Sequence, residues 1–382
     1  MTKPKIRVAV LYGGCSGEHE VSLQSAACVI GKLNQEKYDI VPIGIDKTGT
    51  WHLAPPDVLD SIGKFFPIYR NTPEVVMPSN PAALSTGVVT LSAKPVATQT
   101  TVDGTFDVVF PVMHGTYGED GSIQGLLELA NVPYVGCSVL ASAIGMDKDM
   151  TKRVLRDVGL PVVPWVTIRY ADWTKNQLRF LQVVIDELGF PCFVKPANAG
   201  SSVGVHKVRT SGELAAGISD AFRFDKKVLV EKAVVGREIE LSVLENDDFG
   251  SQPLVSVPGE IIASHEFYSY EAKYLDENGA SLRIPAELTC TQLEKSQEIA
   301  SRVFSALECE GLARVDLFLE EDSGQFYVNE INTLPGFTMI SMYPKMWEAS
   351  GITYSDLLSR LIDLALARHK RKAVLVRDVE SR

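Results

Sequence analysis

The sequence predicts an α/β unit with a mostly parallel sheet at its N-terminus, followed by α+β material. Three observations carry this. The chain has 382 residues, more than one hydrophobic core usually spans, so two or three domains are expected. A β-branched run at 6–11 closes on Gly13-Gly14 and gives way to the helical spacing Val21, Ser25, Val29, Leu33, a strand, glycine loop and helix in succession. Later strands flank the turn-prone Asn246-Asp247-Asp248-Phe249-Gly250, which favours antiparallel pairing.

Taken in order, strands at 38–45 and 107–113, a helix over 121–130 and a short strand at 132–135 continue the alternation and complete a first domain over 1–138. A second, smaller unit over 139–231 has a helix at 174–188, strands at 191–195, 203–208 and 228–231, and a helix at 211–222. The third, 232–382, has strands at 238–244 and 253–257, an aperiodic polar and aromatic stretch at 265–279, and a helix at 291–307. A hairpin and an amphipathic helix over 354–367 close the chain. The stretch at 265–279 lacks a period and reads as a mobile loop. The terminal cluster Arg368-His369-Lys370-Arg371-Lys372 complements a helix dipole rather than forming a nucleic-acid patch.

Composition narrows the class. Hydrophobic residues make up 45% of the chain, and 48 acidic against 37 basic residues leave a net charge of −11. That field repels nucleic acid and acidic membrane. No apolar run approaches the roughly 18 residues of a membrane span. The six cysteines form no C-x-x-C pair, and a cytoplasmic location is expected.

The segment 311–336 is the richest in chemistry. Asp322-Ser323-Gly324 reads as a three-residue turn with glycine in the left-handed position. Counting outward pairs Glu321 with Gln325, sets Asp316 opposite Glu330 and Arg314 opposite Asn332, and puts these four with Phe318 on one face. Two carboxylates and an amide repel unless a cation lies between them, and all-oxygen ligands suit Mg²⁺ rather than zinc. The plainer alternative is a solvated sheet face tied by Arg314.

A second signal is Lys195-Pro196-Ala197-Asn198-Ala199-Gly200-Ser201-Ser202-Val203-Gly204, a strand ending in lysine that enters a Gly/Ser turn. Its backbone N–H groups can ring a phosphate beside the ammonium; a plain hairpin turn is the alternative. Third, Glu231 and Glu238 flank a linker that offers an apolar slot and carboxylates for a nucleoside, although alone it is ordinary linker and edge strand.

Together these motifs resemble the ATP-grasp superfamily, and more closely the D-alanine:D-alanine ligases. The resemblance spans nearly the whole chain. It runs through Gly13 to Ser22, His114 to Gly121, Met146-Asp147-Lys148, Lys195 to Gly204, Glu231-Lys232, Lys273-Tyr274, Arg314 to Asp316, and Glu330-Ile331-Asn332-Thr333-Leu334-Pro335-Gly336 with Ser341-Met342. It implies an ATP-grasp fold behind an N-terminal parallel α/β domain. The implied reaction phosphorylates one D-alanine with ATP, after which the amine of a second attacks the acyl phosphate.

By the same resemblance Lys148 and Lys195 hold the α- and β-phosphates and Lys273 the γ-phosphate. Glu231 takes the adenine amino group, Val234 offers backbone contacts to the base, and Glu238 takes the ribose. Ser201, Ser202, Lys232 and Phe318 line the same nucleotide site. Asp316, Glu330 and Asn332 hold two Mg²⁺, for which Mn²⁺ substitutes. Glu18 binds the first ammonium with His114 beside it, Arg314 and the Gly336 N–H form the oxyanion hole, and Ser341 with Met342 holds the second carboxylate. Glu18, Ser201 and Tyr274 form a network that closes a lid at 265–279, and the enzyme is a homodimer.

Asn198-Ala199 and Ala233 depart from residues found in other members. The nearest competing function is a D-alanine:D-lactate ligase, separated at Tyr274. A regulator with a degenerate site would need losses among Lys195, Arg314, Asp316, Glu330 and Asn332, and none is lost.

Overall fold

The computed structural model describes residues 4–55, 58–59, 62–72, 74–78, 87–90, 105–263 and 280–376. Lys273, Tyr274 and the segment 265–279 lie outside them. The first sheet is built on β1 (Ile6–Gly13), whose side chains are buried almost throughout. It pairs in parallel with β2 (Tyr38–Ile45) and β6 (Val108–Pro111), and α1 (His19–Lys32) follows it. Burial on both faces explains the unbroken apolar run of β1. The parallel pattern holds only at the centre. Beyond β2 the sheet continues antiparallel through β3 (Trp51–Leu53), β4 (Glu74–Val76) and β5 (Val89–Thr90), in the order β5-β4-β3-β2-β1-β6. The strand expected at 132–135 is a single parallel bridge between Val109 and Tyr134, just after α2 (Ser122–Leu129).

After α3 (Val139–Met146) and α4 (Lys148–Asp157) comes a four-stranded antiparallel sheet of order β7-β10-β8-β9: β7 (Trp165–Arg169), β8 (Cys192–Pro196), β9 (His206–Val208) and β10 (Lys227–Lys232). The helix expected at 174–188 is α6 (Gln177–Glu187), which starts three residues later, and a short helix α5 (Tyr170–Trp173) precedes it. Asn176 separates them because its side chain caps the new helix, accepting from the Arg179 N–H at 3.1 Å. With α7 (Ser211–Ala221) these helices bury Val184, Leu214 and Ile218 against Val194 and Val228.

The third sheet runs β14-β13-β11-β15-β16, with β12 beside β11. Its strands are β11 (Gly236–Leu244), β12 (Leu254–Val255), β13 (Gly259–Ala263), β14 (Ala280–Arg283), β15 (Leu312–Glu320) and β16 (Phe326–Asn332). One face is apolar: Ile239, Leu241, Val315 and Leu317 pack with Ile299 and Val303 of α8 (Cys290–Ala306), which opens on a Thr289–Gln292 capping box. Ala141 of α3 and Leu155 of α4 join this core, so packing crosses the expected boundary between 231 and 232. The opposite face carries the polar residues.

Two closing helices, α9 (Met342–Ala349) and α10 (Tyr354–Ala373), tie this unit to the first. Trp347, Leu357, Leu361 and Ile362 pack into the core that holds Val29, Ile30 and Phe110. The basic end of α10 is used in the same way. Arg368 is buried and donates to the carbonyls of Gly136 and Tyr134 at 2.5 and 2.6 Å. Arg371 and Lys372 reach Glu245 and Glu128.

Candidate functional site

The expected facing of Asp316 with Glu330 and of Arg314 with Asn332 is present, but it is reached by another route. The Glu320 N–H bonds the Gln325 carbonyl at 2.9 Å, so Glu321 belongs to the loop and is not paired with Gln325. Gly324 takes the left-handed conformation, φ 66°. This longer loop slips the register by one residue, placing Phe318 opposite Tyr327. A bulge then restores it: Leu317 faces Val328 while Asp316 faces Glu330, and Asn329 is the extra residue. Bulging turns two consecutive side chains to one side. Asn329 and Glu330 are accordingly both half-buried, while Val328 and Ile331 point into the core.

On this face Arg314 lies against Asp316 through two parallel hydrogen bonds, Nε to Oδ1 and Nη2 to Oδ2, both 2.7 Å. Its Nε is 3.0 Å from Glu240, and the Asn332 amide donates to Asp316 at 3.0 Å. Burial works against the guanidinium charge, but Asp316 and Glu240 outweigh it and raise the pKa well above its ordinary value. Among the described residues no three His, Cys, Asp or Glu side chains are gathered into a ready-made metal cage. The donors still fit a small divalent ion, because Mg²⁺ typically takes one or two carboxylates and completes its octahedron with water and phosphate oxygens.

Beside this face stands the 197–205 loop. Ser201 and Ser202 both have positive φ, 50° and 59°, uncommon for residues with a Cβ and of the kind that turns successive N–H groups into an anion-binding concavity. Asp225 braces the turn, accepting from the backbone and side chain of Asn198 at 2.8 and 2.9 Å, so the departure at Asn198 has a local partner. Lys148 donates from its backbone to Ala197 and from Nζ to the Ala199 carbonyl at 2.7 Å. The preceding Asp147 caps α4 and pairs with Lys227.

The Ser201 hydroxyl donates to Glu18 in a short hydrogen bond. Two glycine backbones close on that carboxylate: a Cβ at Gly115 or Gly200 would stand 2.5 or 2.8 Å from Glu18 Oε2. His114 lies beneath, buried, with Nδ1 3.2 Å from the Leu334 carbonyl and Nε2 2.9 Å from Ser25 Oγ. Burial and then the Glu18 charge hold the Glu119 carboxyl above the usual range, against the pull of His114. Ser25 also accepts from the Phe337 N–H. That places Gly336 next to the His114 network and next to Ser341, whose Oγ would lie 2.8 Å from a Cβ at Gly336. Met342 opens α9, and Ser341 receives the Thr338 N–H at 2.9 Å.

Glu231 has partners that the sequence did not show. Its side chain is buried, with Oε2 2.8 Å from Lys195 and Oε1 3.3 Å from Lys152. Burial opposes its charge, yet the two ammonium groups pull the carboxyl down to about 2. Oε1 has only the longer Lys152 contact, so the carboxylate keeps acceptor capacity beyond these two ammonium groups. Glu238 lies on β11 opposite Phe318, Lys232 is exposed, and Val234 lies in the linker to β11.

Five residues with contacts at this site were given no role in the sequence reading: Asn329, Glu240, Lys152, Asp147 and Lys227. Glu240 was within reach, since it stands two residues after Glu238 on a strand of period 2. The others depend on long-range contacts.

Comparison with known proteins is consistent over the whole chain. The D-ala D-ala ligase N-terminus model matches residues 7–137 and the D-ala D-ala ligase C-terminus model residues 154–363. The chain is 49% identical over 381 residues to D-alanine–D-alanine ligase A of Bradyrhizobium diazoefficiens, covering 99% of each. It is 45% identical over 373 residues to D-alanine–D-alanine ligase A of Escherichia coli K12, covering 96% of this chain and 97% of that one. The solved D-alanine–D-alanine ligase of Coxiella burnetii superposes with a TM-score of 0.82 at 38% identity, covering 98% and 97%. The VanG D-Ala:D-Ser ligase of Enterococcus faecalis superposes with 0.79 at 35% identity, covering 95% and 100%.

Proposed function

The chain belongs to the D-alanine–D-alanine ligase family, with the ATP-grasp fold, and from that premise we infer that it is an ATP-dependent D-alanine–D-alanine ligase. It joins two D-alanine molecules into D-alanyl-D-alanine, a peptidoglycan precursor, and releases ADP and phosphate. The observation that carries the site assignment is the meeting of Glu18 with Ser201, which sets an ammonium-binding carboxylate from the first domain against the Gly/Ser turn of the second.

In this reading Lys148, Lys195 and the N–H groups of Ser201 and Ser202 hold the ATP phosphates. Glu238 receives the ribose, and backbone groups of 231–234, Val234 among them, take the adenine edge. Lys232 and Phe318 border the nucleotide, and Lys273 reaches the γ-phosphate. Glu18, with His114 beneath it, binds the first D-alanine ammonium and aims its carboxylate oxygen at the γ-phosphorus. That oxygen displaces ADP. The second D-alanine, held through its carboxylate by Ser341 and the Met342 N–H, attacks the acyl carbon as a neutral amine. Arg314 and the Gly336 N–H stabilise the oxyanion, where fixed donors contribute most, and phosphate leaves. Asp316, Glu330 and Asn332 would hold Mg²⁺, or Mn²⁺ in its place, which supplies charge neutralisation on the phosphates. Tyr274 completes the Glu18–Ser201 network without adding a cation.

A cytoplasmic homodimer belongs to the same proposal. Six free cysteines and, among the described residues, no helix long and apolar enough to cross a membrane support the location; sedimentation tests the dimer.

The decisive experiment supplies ATP, Mg²⁺ and equimolar D-alanine, D-serine and D-lactate, and follows ADP and products from about pH 6 to about pH 9. Dipeptide should predominate and rise with pH as more amine becomes neutral. Predominance of depsipeptide or of D-alanyl-D-serine would replace the second substrate, and no ADP release would refute the ligase.

A further inference from the structure

We propose that Lys152 is a positioning residue for nucleotide binding: it neutralises Glu231 from below, so that Lys195 is aimed by that carboxylate without being cancelled by it. This rests on the reading of Lys195 as a phosphate ligand. The three side chains come from α4, β10 and β8 and form a line of rising exposure, at 2%, 3% and 14% for Lys152, Glu231 and Lys195. Lys152 Nζ is 3.3 Å from Glu231 Oε1 and 3.3 Å from the Val163 carbonyl, and lies 5.7 Å from the centre of the Trp165 ring. Glu231 Oε2 meets Lys195 Nζ at 2.8 Å, and Asn329 Oδ1 accepts from the same ammonium at 3.3 Å.

Charge counting shows what the third member adds. A buried Glu231–Lys195 pair alone is neutral and would offer an anion little. Burial and then the Lys195 charge lower the Lys152 pKa while Glu231 at 3.3 Å opposes them; with Lys152 protonated the trio carries one net positive charge, and its more exposed end is Lys195. A single ammonium would suffice to stabilise a buried carboxylate, so a second and deeper one is surplus for stability alone. Glu238 and Glu330 act on Lys195 from the third sheet, which makes the surplus charge more necessary for holding a polyanion.

The test is calorimetric titration of the full chain with ADP and Mg²⁺, which needs no ligase turnover, together with KM for ATP and for D-alanine. Lys152→Met should weaken ADP about tenfold or more, in line with losing a charge-assisted contact. KM for ATP should rise in parallel, and KM for D-alanine should stay within about threefold. Adding Glu231→Gln removes the carboxylate that Lys152 balanced, so the double variant should return to within about threefold of the unaltered affinity, whereas independent structural losses would add. Should Lys152→Met alone fail to fold while the double variant folds and binds ADP, the balancing role stands. Unaltered ADP affinity in Lys152→Met, a double variant as weak as the single, or loss of fold in both would overturn it. An unaltered chain that binds ADP yet makes no dipeptide would refute the ligase reading and leave this comparison intact; one that binds no ADP would overturn both.

Discussion

The Ser201 hydroxyl donates to the Glu18 carboxylate across 183 residues of sequence, joining the Gly/Ser turn of the central sheet to the first turn of α1. The Glu18 carboxylate lies between the backbones of Gly115 in the first domain and Gly200 in the second, where a Cβ on either glycine would stand 2.5 or 2.8 Å from its Oε2. Under the proposed function, nucleotide and first amino acid would be read by one connected element.

Ser201→Ala should therefore raise KM for the first D-alanine about tenfold or more, the scale of a lost hydrogen bond to a charged group. ADP affinity should change much less. Initial-rate kinetics at saturating ATP separate the two. Equal losses in both would move Ser201 from the link to the phosphate turn itself.

Arg314→Lys keeps the charge but removes the planar fork that lies along Asp316. Turnover should fall about 10²-fold, by analogy with removal of one oxyanion donor, with KM for ATP nearly unchanged. A variant that lost ATP binding instead would place Arg314 in the nucleotide site.

Glu330→Gln preserves shape and removes one charge from the proposed metal face. ADP release should drop by about 10²-fold or more, with circular dichroism unchanged. Near-normal release at saturating Mg²⁺ would argue against Glu330 as a metal ligand.

Asn329→Ala removes the bulged residue's contact with Lys195. KM for ATP should rise roughly three- to tenfold, the scale of an ordinary hydrogen bond, as the 3.3 Å length of this contact implies, while the melting temperature moves little because the side chain lies on the polar face. An unchanged KM would make the bulge a matter of register only.

Glu231 also gives a pH test. Its folded carboxyl lies near 2 against an ordinary 4.5, so the stability it contributes is fully present above the ordinary value and is lost as pH falls through the folded one. The urea midpoint of Glu231→Gln should lie below that of the unaltered chain at neutral pH, and the gap should close between about pH 4.5 and about pH 2. A gap that persists at pH 2 would show that the carboxylate's charge is not what it supplies.

Local pattern carried much of this protein. Alternation at Arg314, Asp316 and Phe318, the paired strand with Glu330 and Asn332, and the lysine entering the Gly/Ser turn at 195–204 are all legible because side-chain period and turn chemistry act over a few residues. The register of the hairpin was legible by a cancellation. A loop one residue longer than expected and a bulge at Asn329 offset each other, and neither has a local signature, since a bulge exists only against the strand it pairs with. The same holds for what the tertiary structure alone decided. Lys152 looks like an ordinary helical lysine until α4 is laid beneath β10, and Glu231 looks like part of an ordinary strand and linker until two ammonium groups close on it. Arg368 looks like a cation that complements the helix dipole until α10 carries it to the carbonyls of Gly136 and Tyr134. Burial and electrostatic partners are set by packing between distant segments, and a charged residue's role depends on which of them it meets.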